Sequence, residues 1–276
     1  MRNYRVDSRA RRFVTLEGYA VEGGLDGPYQ PSTCYRPTIA LGRHAAPGDA
    51  EDLWRDYEQV LDLAATLGID GVRLSVEWAR VEPLRGEVDS AALERYAQVA
   101  HHASSLGLGV TAVIVDAAWP SWLGLEAWLL PWVVPYFIEQ ARRVVTTMDS
   151  LGGVVAFASV DELVTGGFVE SSSPPWRRAQ RVDAAFARTQ IEGIIEALRS
   201  DSIVGPKLVT STRTVSLARP ARDVAASLRD ATDVEEIYLR SLVKGRGPTQ
   251  SPFGLLAKGE RGWYVAASEE LLDALR

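Results

Sequence analysis

Acidic side chains close several apolar runs of this sequence, where they could act as general acids and bases. Asp161 and Glu162 stand side by side at the end of one run, and a break at Gly166 and Gly167 follows them. Like charges disfavour double ionisation, so one carboxyl group of such a pair can keep a proton near neutral pH. The pair therefore predicts a proton donor, and the alternative is ordinary placement on a solvated surface.

Other charged residues stand at the ends of the remaining apolar runs, and tryptophans stand near them in the sequence. Aromatic faces pack on the C–H faces of a pyranose and carboxylates bind its hydroxyl groups, so this combination suits sugars. Glycosidic bonds are cleaved by two carboxyl groups, one of which must hold a proton. Each residue alone could instead cap a helix, pair with an arginine or pack in the core. Besides Asp161 and Glu162, the candidates are the acids Glu17, Glu77 and Asp116, the arginines Arg73 and Arg213, and the tryptophans Trp78, Trp119 and Trp122.

Alternating strands and helices must position these residues. The run 108–116 is almost purely apolar, as expected for a strand of a parallel sheet covered on both faces. The stretch 49–68 has apolar residues at helical spacing, and the Gly/Pro-rich segment 23–48 predicts no regular structure. The sequence predicts strands over 13–20, 69–78, 108–116, 154–162, 206–216 and 251–257, and helices over 49–68, 90–107, 135–152, 181–200, 221–245 and 268–276.

This alternation predicts an α/β fold with a parallel sheet, in one domain that spans residues 1–276. A doubly wound open sheet and a (β/α) barrel both fit the pattern. No GxGxxG or GxxxxGK[ST] motif follows a predicted strand, so the usual nucleotide-binding reason for an open sheet is missing. In a TIM-type barrel the carboxyl ends of the strands meet at one mouth, which would bring the charged residues together.

Composition narrows the classes of partner and cofactor. Net charge is −6, which argues against nucleic acid or an anionic membrane as the main partner. Cys34 is the single cysteine and there are only 3 histidines, so we expect no disulfide within the chain and no zinc site. A carboxylate cluster could suit Mg²⁺ or Ca²⁺, but no stretch has the spacing of a dedicated metal loop, and we expect no metal and no cofactor. The basic N-terminus lacks the apolar segment of a signal peptide, so we expect a cytoplasmic protein.

Several motifs of the sequence resemble those of the family 1 glycoside hydrolases, the retaining β-glucosidase-type enzymes built on a TIM barrel. Arg73, Trp78, Arg80 and Pro83 match that family's R-x-S-x-x-W-x-R-x-x-P motif. The stretch FASVDEL resembles its T-x-N-E-P motif, and this resemblance places Glu162 at the acid/base position. The resemblance runs almost from end to end of the chain and is weakest in the last third.

The departures from the family pattern fall on positions of chemical importance. Glu22 keeps the acid of the family's Q-x-E-G motif and joins the candidate substrate-binding residues through this resemblance. Asp161 stands where the family has an asparagine beside the cleaved bond, Asp116 where it has a histidine, and Glu77 where it has a serine. The nucleophile motif T-E-N-G is absent, since Asn3 is the only asparagine. On this alignment the chain ends before the nucleophile strand, so the resemblance implies a barrel that is shortened or incomplete after the sixth strand.

The sequence therefore predicts a divergent glycosidase-like enzyme that performs acid–base chemistry on a glycoside or another polyhydroxylated small molecule. Glu162 is the predicted proton donor and acceptor, with Asp161, Asp116 and Glu77 as further catalytic candidates. Three readings stay open: inverting cleavage, a rearrangement such as cyclisation or elimination, and no catalysis, in which case the protein binds a sugar or a partner protein. Six strands would leave two sheet edges exposed, which a homodimer could cover.

Overall fold

A computed structural model of the chain describes residues 13–216, 235–240, 255–259 and 262–266, and from residue 210 onward it describes the backbone alone. The strands in these residues are β1 (Phe13–Leu16), β2 (Gly71–Ser75), β3 (Gly109–Val115), β4 (Gly153–Phe157), β5 (Leu208–Ser216), β6 (Glu235–Arg240), β7 (Leu255–Gly259) and β8 (Gly262–Ala266). They form an 8-stranded sheet in the order β1-β2-β3-β4-β5-β6-β8-β7. Neighbours are parallel from β1 through β6 to β8, whereas β7 and β8 pair antiparallel.

Helices connect the parallel strands from β1 to β5. In chain order they are α1 (Gly18–Val21), α2 (Arg36–Ala40), α3 (Leu53–Thr66), α4 (Trp78–Val81), α5 (Ser90–Ser105), α6 (Val133–Thr147) and α7 (Arg181–Arg199). The long helices α3, α5, α6 and α7 each run between two consecutive strands, while α1, α2 and α4 are short turns on the loops. This is the repeated β/α unit of parallel sheets.

The central strands are buried because helices cover the sheet. Every residue of β2 and of β4 is buried, which is the pattern of a parallel strand enclosed on both faces. Helix α7 buries Ala187, Ile191 and Leu198 among others, and spacings of three and four residues place such side chains on one stripe. The core therefore lies between the sheet and the stripes of the long helices.

Strand β4 is shorter than the prediction, and this changes the position of two candidate residues. The predicted strand 154–162 ends at Phe157, so Asp161 and Glu162 are not strand residues. They stand at the start of a π-helical turn over Glu162–Gly166. Strands β1 and β2 also end before the predicted strands do, at Leu16 and Ser75, where their ladder pairing ends. A short helical turn follows each of them.

The prediction for residues 221–245 is wrong in part, because β6 lies where a helix is expected. The run EEIYLR is short, and a short run with apolar residues does not separate helix from strand by its period. Strand β7 overlaps the predicted strand 251–257, and β8 is a further strand. The sheet thus has 8 strands instead of the six predicted, and the predicted helix 268–276 lies outside the described residues.

The segment 23–48, predicted to be irregular, contains the short helix α2. The whole arrangement is that of a (β/α) barrel whose described pairings leave it open between β1 and β7. No helix in the described part of the chain combines the length and the apolarity needed to cross a membrane. The carboxyl ends of β1 to β5 lie along one edge of the sheet, where the loops with the candidate residues begin.

Candidate active site

Four adjacent strands deliver acidic side chains to one edge of the sheet, which we call the carboxyl rim. Glu17 follows β1, Glu77 follows β2, Asp116 follows β3, and Asp161 and Glu162 follow β4. Because these strands are parallel neighbours, their carboxyl ends lie side by side. The backbone therefore brings acids that are distant in sequence to one rim.

Glu77 is the buried member of this group, with 3% of its surface exposed. Burial raises the pKa of Glu77 well above its usual range, and repulsion from Glu22 and Asp116 raises this pKa further. The charge of Arg80 opposes the shift and that of Glu17 adds to it. These charges must lie within electrostatic reach of the Glu77 carboxyl group to act on it. Burial and the neighbouring acids therefore favour the protonated form of Glu77 over its charged form.

Gly18 makes room for the carboxyl groups behind the rim. A Cβ atom at this position would lie 2.5 Å from Glu77 Cγ, 2.6 Å from Glu77 Oε1 and 2.9 Å from Glu22 Oε1. The Oε2 atom of Glu77 is buried and has no hydrogen-bond partner within the described residues. An unsatisfied buried oxygen costs free energy, and a hydroxyl group of a ligand could recover it.

Glu22 lies behind the rim and is held by other protein groups. Tyr96 Oη donates to Glu22 Oε1 at 2.8 Å, and Arg80 Nε donates to Oε2 at 3.1 Å. Arg80 also donates to the carbonyl of Gly23 at 2.6 Å, and its guanidinium lies 4.1 Å from the ring centroid of Trp54. Burial raises the pKa of Glu22 to about 6, against the charge of Arg80 and the hydrogen bond from Tyr96. Because protein donors engage both oxygens, the structure favours a supporting role for Glu22 over the predicted contact with substrate.

Asp116 is tied to the neighbouring strand at the rim. It is partly buried and accepts a hydrogen bond of 2.7 Å from the Oγ atom of Ser75, the last residue of β2. Arg73 lies in the same strand, two residues earlier, and is buried. Arg213 belongs to β5, and its side chain lies outside the described residues. The hydroxyl group of Ser75 therefore helps to fix the Asp116 carboxylate at the end of β3.

Tyr35 links Glu162 to the other acids. Burial raises the pKa of Tyr35, and the neighbouring Cys34, Glu17 and Glu162 raise this pKa further. Glu77 adds to the same shift. The phenol group therefore lies within electrostatic reach of acids that follow β1, β2 and β4.

Asp161 and Glu162 have different surroundings although they are neighbours in sequence. Arg188 Nη2 donates to Asp161 Oδ1 at 2.6 Å, so a charge on α7 balances Asp161. Glu162 is exposed, and the contacts found among the described residues hold its backbone: Ser173 Oγ donates to its carbonyl at 2.7 Å, and its N–H donates to Ser159 Oγ at 3.2 Å. These contacts favour a supporting role for Asp161 in place of the predicted proton-sharing pair, and leave Glu162 as the solvent-facing acid.

The tryptophan predictions are wrong for Trp78 and Trp119, because both side chains are fully buried. Trp78 Nε1 donates to Glu82 Oε2 at 3.1 Å, and Trp119 Nε1 donates to the carbonyl of Gly124 at 2.8 Å. Trp122 is partly buried, and its Nε1 donates to the carbonyl of Glu82 at 2.8 Å. The turns that follow the strands direct these indoles into the core, where Trp78 and Trp119 have no surface left for a sugar.

A group of aromatic side chains beside the rim is not predicted from the sequence. Tyr19 and Tyr35 stack with ring centroids 4.4 Å apart, and Trp176 lies 5.2 Å from Tyr35. His44 lies 5.7 Å from Tyr35 and 5.0 Å from Trp176. The sequence feature that could have indicated this group is the presence of Tyr35 and His44 within the long Gly/Pro-rich segment 23–48. Long loops at the carboxyl ends of barrel strands commonly carry function.

The described part of the chain does not assemble a metal site from three or more His, Cys, Asp or Glu side chains. Two acids of the rim are paired with other protein groups, Asp116 with the hydroxyl group of Ser75 and Asp161 with the guanidinium of Arg188.

Comparison with known proteins gives sequence relatives over part of the chain, while no protein-family model matches it. The chain is 32% identical over 157 residues to the chloroplastic β-glucosidase-like protein SFR2 of Oryza sativa subsp. japonica. It is 31% identical over 118 residues to the chloroplastic galactolipid galactosyltransferase SFR2 of Arabidopsis thaliana. These matches cover 54% and 39% of this chain but only 24% and 19% of the relatives, so the chain spans a quarter or less of their length.

Solved structures share the fold over most of the chain. The virulence factor SghA of Agrobacterium tumefaciens, in complex with its substrate analog salicin, has a TM-score of 0.62 at 23% identity. The match covers 80% of this chain and 51% of SghA. Other structures with this fold are a β-glycosidase and a family 1 β-glucosidase. The comparisons therefore confirm the resemblance to β-glucosidase-type proteins and the TIM-type barrel fold, and the chain spans about half the length of these solved structures.

Proposed function

We propose that this protein binds a glycoside, or another polyhydroxylated small molecule, at the carboxyl rim and performs acid–base chemistry there. The observation that supports this most is that β1 to β4 are parallel neighbours, so that Glu17, Glu77, Asp116 and Glu162, which follow them, stand along one edge of the sheet. Acids that approach one another from separate strand ends surround a space suited to a ligand rich in hydroxyl groups. The sequence relatives named as β-glucosidase-like and as a galactolipid galactosyltransferase add support for a sugar-bearing substrate.

The acids of the rim take different roles in this proposal. Glu162 donates its proton to the oxygen that bridges the sugar and the leaving group. Asp116, held by the hydroxyl group of Ser75, takes a proton from a water molecule as that water attacks the anomeric carbon. The bond from the anomeric carbon to the leaving oxygen breaks in the same step. This is inverting cleavage, for which the two carboxyl groups stand about 6.5–9.5 Å apart.

Glu77 has a separate role because burial and the neighbouring acids raise its pKa and so favour its protonated form. A neutral carboxylic acid cannot act as the base, but it can donate a hydrogen bond to a hydroxyl group of the sugar. Its Oε2 atom, buried and without a partner among the described residues, is the atom that such a contact would satisfy. We assign Glu77 to substrate recognition.

Transfer is a second outcome of the same chemistry. When a hydroxyl group of another molecule takes the place of water, Asp116 and Glu162 move the same protons and the product is a new glycoside. The name of the Arabidopsis relative, a galactosyltransferase, favours testing this outcome. An assay must therefore follow both free sugar and transfer products.

Replacement of the proton donor tests the proposal. On a panel of aryl and lipid glycosides, Glu162→Gln should lower kcat by about 10²–10⁴-fold, the usual contribution of a general acid, while substrate binding persists. Asp116→Asn should cause a loss of similar size. Glu192→Gln is a matched control, because it makes the same change at an exposed site on α7, and its activity should equal that of the unaltered protein.

Two results would contradict the assignment. If Glu162→Gln turns over every productive substrate as fast as the unaltered protein, Glu162 is not the acid. If no form turns over any glycoside but sugars still bind at the rim, the protein belongs to the non-catalytic alternative.

Assembly and location stay predictions. A homodimer that covers the edges at β1 and β7 would sediment as a dimer at micromolar concentration, and a monomer alone would contradict it. A cytoplasmic location is expected from the sequence, whereas both named relatives are chloroplastic.

A further inference from the structure

A cavity lies among the loops beside the carboxyl rim, and we call it the loop pocket. Its volume is about 490 Å³, within the range of pockets that hold small molecules. Its walls come from the loops that follow β1, β3 and β4. The residues used below are Leu41, Arg43, His44, Trp176 and Arg177.

The loop pocket and the carboxyl rim meet at Tyr35. Its ring contacts two pocket residues, with centroid distances of 5.7 Å to His44 and 5.2 Å to Trp176. The same phenol group interacts with the acids Glu17 and Glu162 of the rim. A ligand that occupies both spaces would therefore pass over Tyr35, with one end among carboxyl groups and the other end in the loop pocket.

The charge of the loop pocket is opposite to that of the rim. Arg43 and Arg177 both line it. Arg177 forms an ion pair with Glu126, so its charge is balanced within the protein. The guanidinium of Arg43 is exposed, and no ion pair to it is found within the described residues. Arg43 is therefore the positive charge that the pocket offers to a ligand.

The aromatic wall of the pocket is held in place by its backbone. Trp176 has φ 55°, in the left-handed region that a bulky residue rarely adopts. Its N–H donates to the carbonyl of Ser173 at 2.8 Å, and Ser171 Oγ donates to its carbonyl at 2.8 Å. Such a conformation persists only where the surroundings enforce it, and it is common at ligand clamps.

The loop that holds Trp176 also supports the proposed acid. Ser173 Oγ donates to the carbonyl of Glu162 at 2.7 Å, and Arg177 N–H donates to the carbonyl of Gly167 at 2.7 Å. The position of the indole ring is thus coupled to the turn that carries Glu162. An occupant of the loop pocket would lie next to the place where the leaving oxygen is protonated.

We propose that the loop pocket binds a flat anionic group, of which an aryl carboxylate is the simplest example. The carboxylate pairs with Arg43, and the ring packs on Trp176 with Leu41 at its edge. Arginine binds carboxylates with charge-assisted hydrogen bonds. The large flat face of a tryptophan stacks on an aromatic ring and buries apolar surface. The identification of this group as the leaving part of a substrate rests on the proposed function. Its binding in the loop pocket does not depend on that function.

Binding of benzoate, followed by saturation-transfer NMR, tests this inference without any turnover. Benzyl alcohol is the neutral probe of nearly the same shape. Arg43→Gln should weaken benzoate about tenfold, the loss expected for one charge-assisted contact, and should leave benzyl alcohol unchanged. Arg178→Gln removes the same charge from an exposed site that does not line the pocket, and it should leave benzoate unchanged.

Three outcomes would overturn the inference. Benzoate binding that is absent, or equal in Arg43→Gln and the unaltered protein, would show that the pocket does not bind carboxylates through Arg43. If inorganic phosphate at equal concentration displaces benzoate, the pocket recognises the negative charge and does not require the aromatic ring. If the Trp176→Leu variant binds benzoate as tightly as the unaltered protein does, the indole ring does not contribute to binding of the aryl ring.

The test separates the two proposals. Glu162→Gln should bind benzoate as the unaltered protein does. If benzoate binds as expected while Glu162→Gln keeps full turnover, the loop pocket stands and the proposed acid fails. If Glu162→Gln loses turnover while benzoate does not bind, the reverse holds.

Discussion

Glu77 and Glu82 are both buried carboxyl groups on the loop that follows β2, and their surroundings are opposite. Glu82 accepts hydrogen bonds from Trp78 Nε1 at 3.1 Å, from Arg143 Nη1 at 3.0 Å and from Gly86 N–H at 2.8 Å. Glu77 is repelled by neighbouring acids, and its Oε2 atom has no partner among the described residues. One carboxyl group is fully engaged by the fold, and the other has an oxygen left over.

This difference separates a buried acid that the fold engages from one that has an oxygen without a partner among the described residues. A buried charge that is paired and hydrogen-bonded becomes part of the structure, and its loss leaves its partners unsatisfied. A buried acid surrounded by like charges raises the free energy of the folded protein unless it holds a proton.

The largest expected effect comes from removing the charge of Glu82. Glu82→Gln leaves the guanidinium of Arg143 without its buried partner, and breaking such a pair from one side costs about 3–5 kcal/mol. Glu77→Gln removes an acid whose charged form is disfavoured by burial and by its acidic neighbours, and it should cost less than about 1 kcal/mol. Urea unfolding at neutral pH measures both variants. Equal losses would remove the distinction between the two sites.

A methyl group added beneath the rim should have the next largest effect. Gly18→Ala places Cβ 2.5 Å from Glu77 Cγ, and such overpacking costs about 1–3 kcal/mol. Gly193→Ala is the matched control, because a Cβ there on α7 meets nothing within 4 Å. It should stabilise the protein by about 0.5–1 kcal/mol, since alanine favours a helix over glycine. A stabilising Gly18→Ala would show that Glu77 does not pack against α1.

The pH dependence of stability tests the buried acids directly. The pKa of Glu22 rises from 4.5 to about 6 on folding, so the folded protein holds this proton more tightly than the unfolded chain. The resulting stability is fully present below pH 4.5 and is lost as pH rises through about 6. Relative to Glu22→Gln, the free energy of unfolding should therefore fall by about 2 kcal/mol across this window. A constant difference between the two proteins would contradict the raised pKa.

The smallest effect is expected for the ion pair of Asp161. Its partner Arg188 is 36% exposed and Asp161 is 39% exposed, so water screens the pair. Arg188→Gln should change the free energy of unfolding by less than about 1 kcal/mol. If Arg188→Gln lowers the free energy of unfolding as much as Glu82→Gln does, the burial of an ion pair does not determine how much it stabilises this protein.

The elements from β1 to β5 could be predicted because their patterns are long and regular. Helix α7 repeats buried residues at three and four positions over its whole length, and the central strands are continuously apolar. Strand β6 could not be predicted, because six residues with mixed character fit a helix as well as a strand. Its pairing with β5, in which Ser211 stands opposite Glu235, is a tertiary contact that no local pattern reports.

The candidate site was predictable in position but not in the direction of its side chains. Strand ends were sufficient to find Glu77, Asp116 and Glu162. The sequence could not show that Trp78 faces the core, because its direction depends on the turn α4 that follows the strand. Nor could it show that Trp176 reaches Tyr35 across the rim, since their loops belong to different β/α units.

The sequence by itself determined the alternation of strands and helices, and with it the set of acids that follow the strands, because apolar periodicity is a local property of the chain. Only the tertiary structure decided which of these acids are engaged and which remain available. Engagement depends on donors such as Arg188 and Arg80 that approach from other helices and turns. Burial and neighbouring charge set the state of each carboxyl group, and both are properties of the packed molecule.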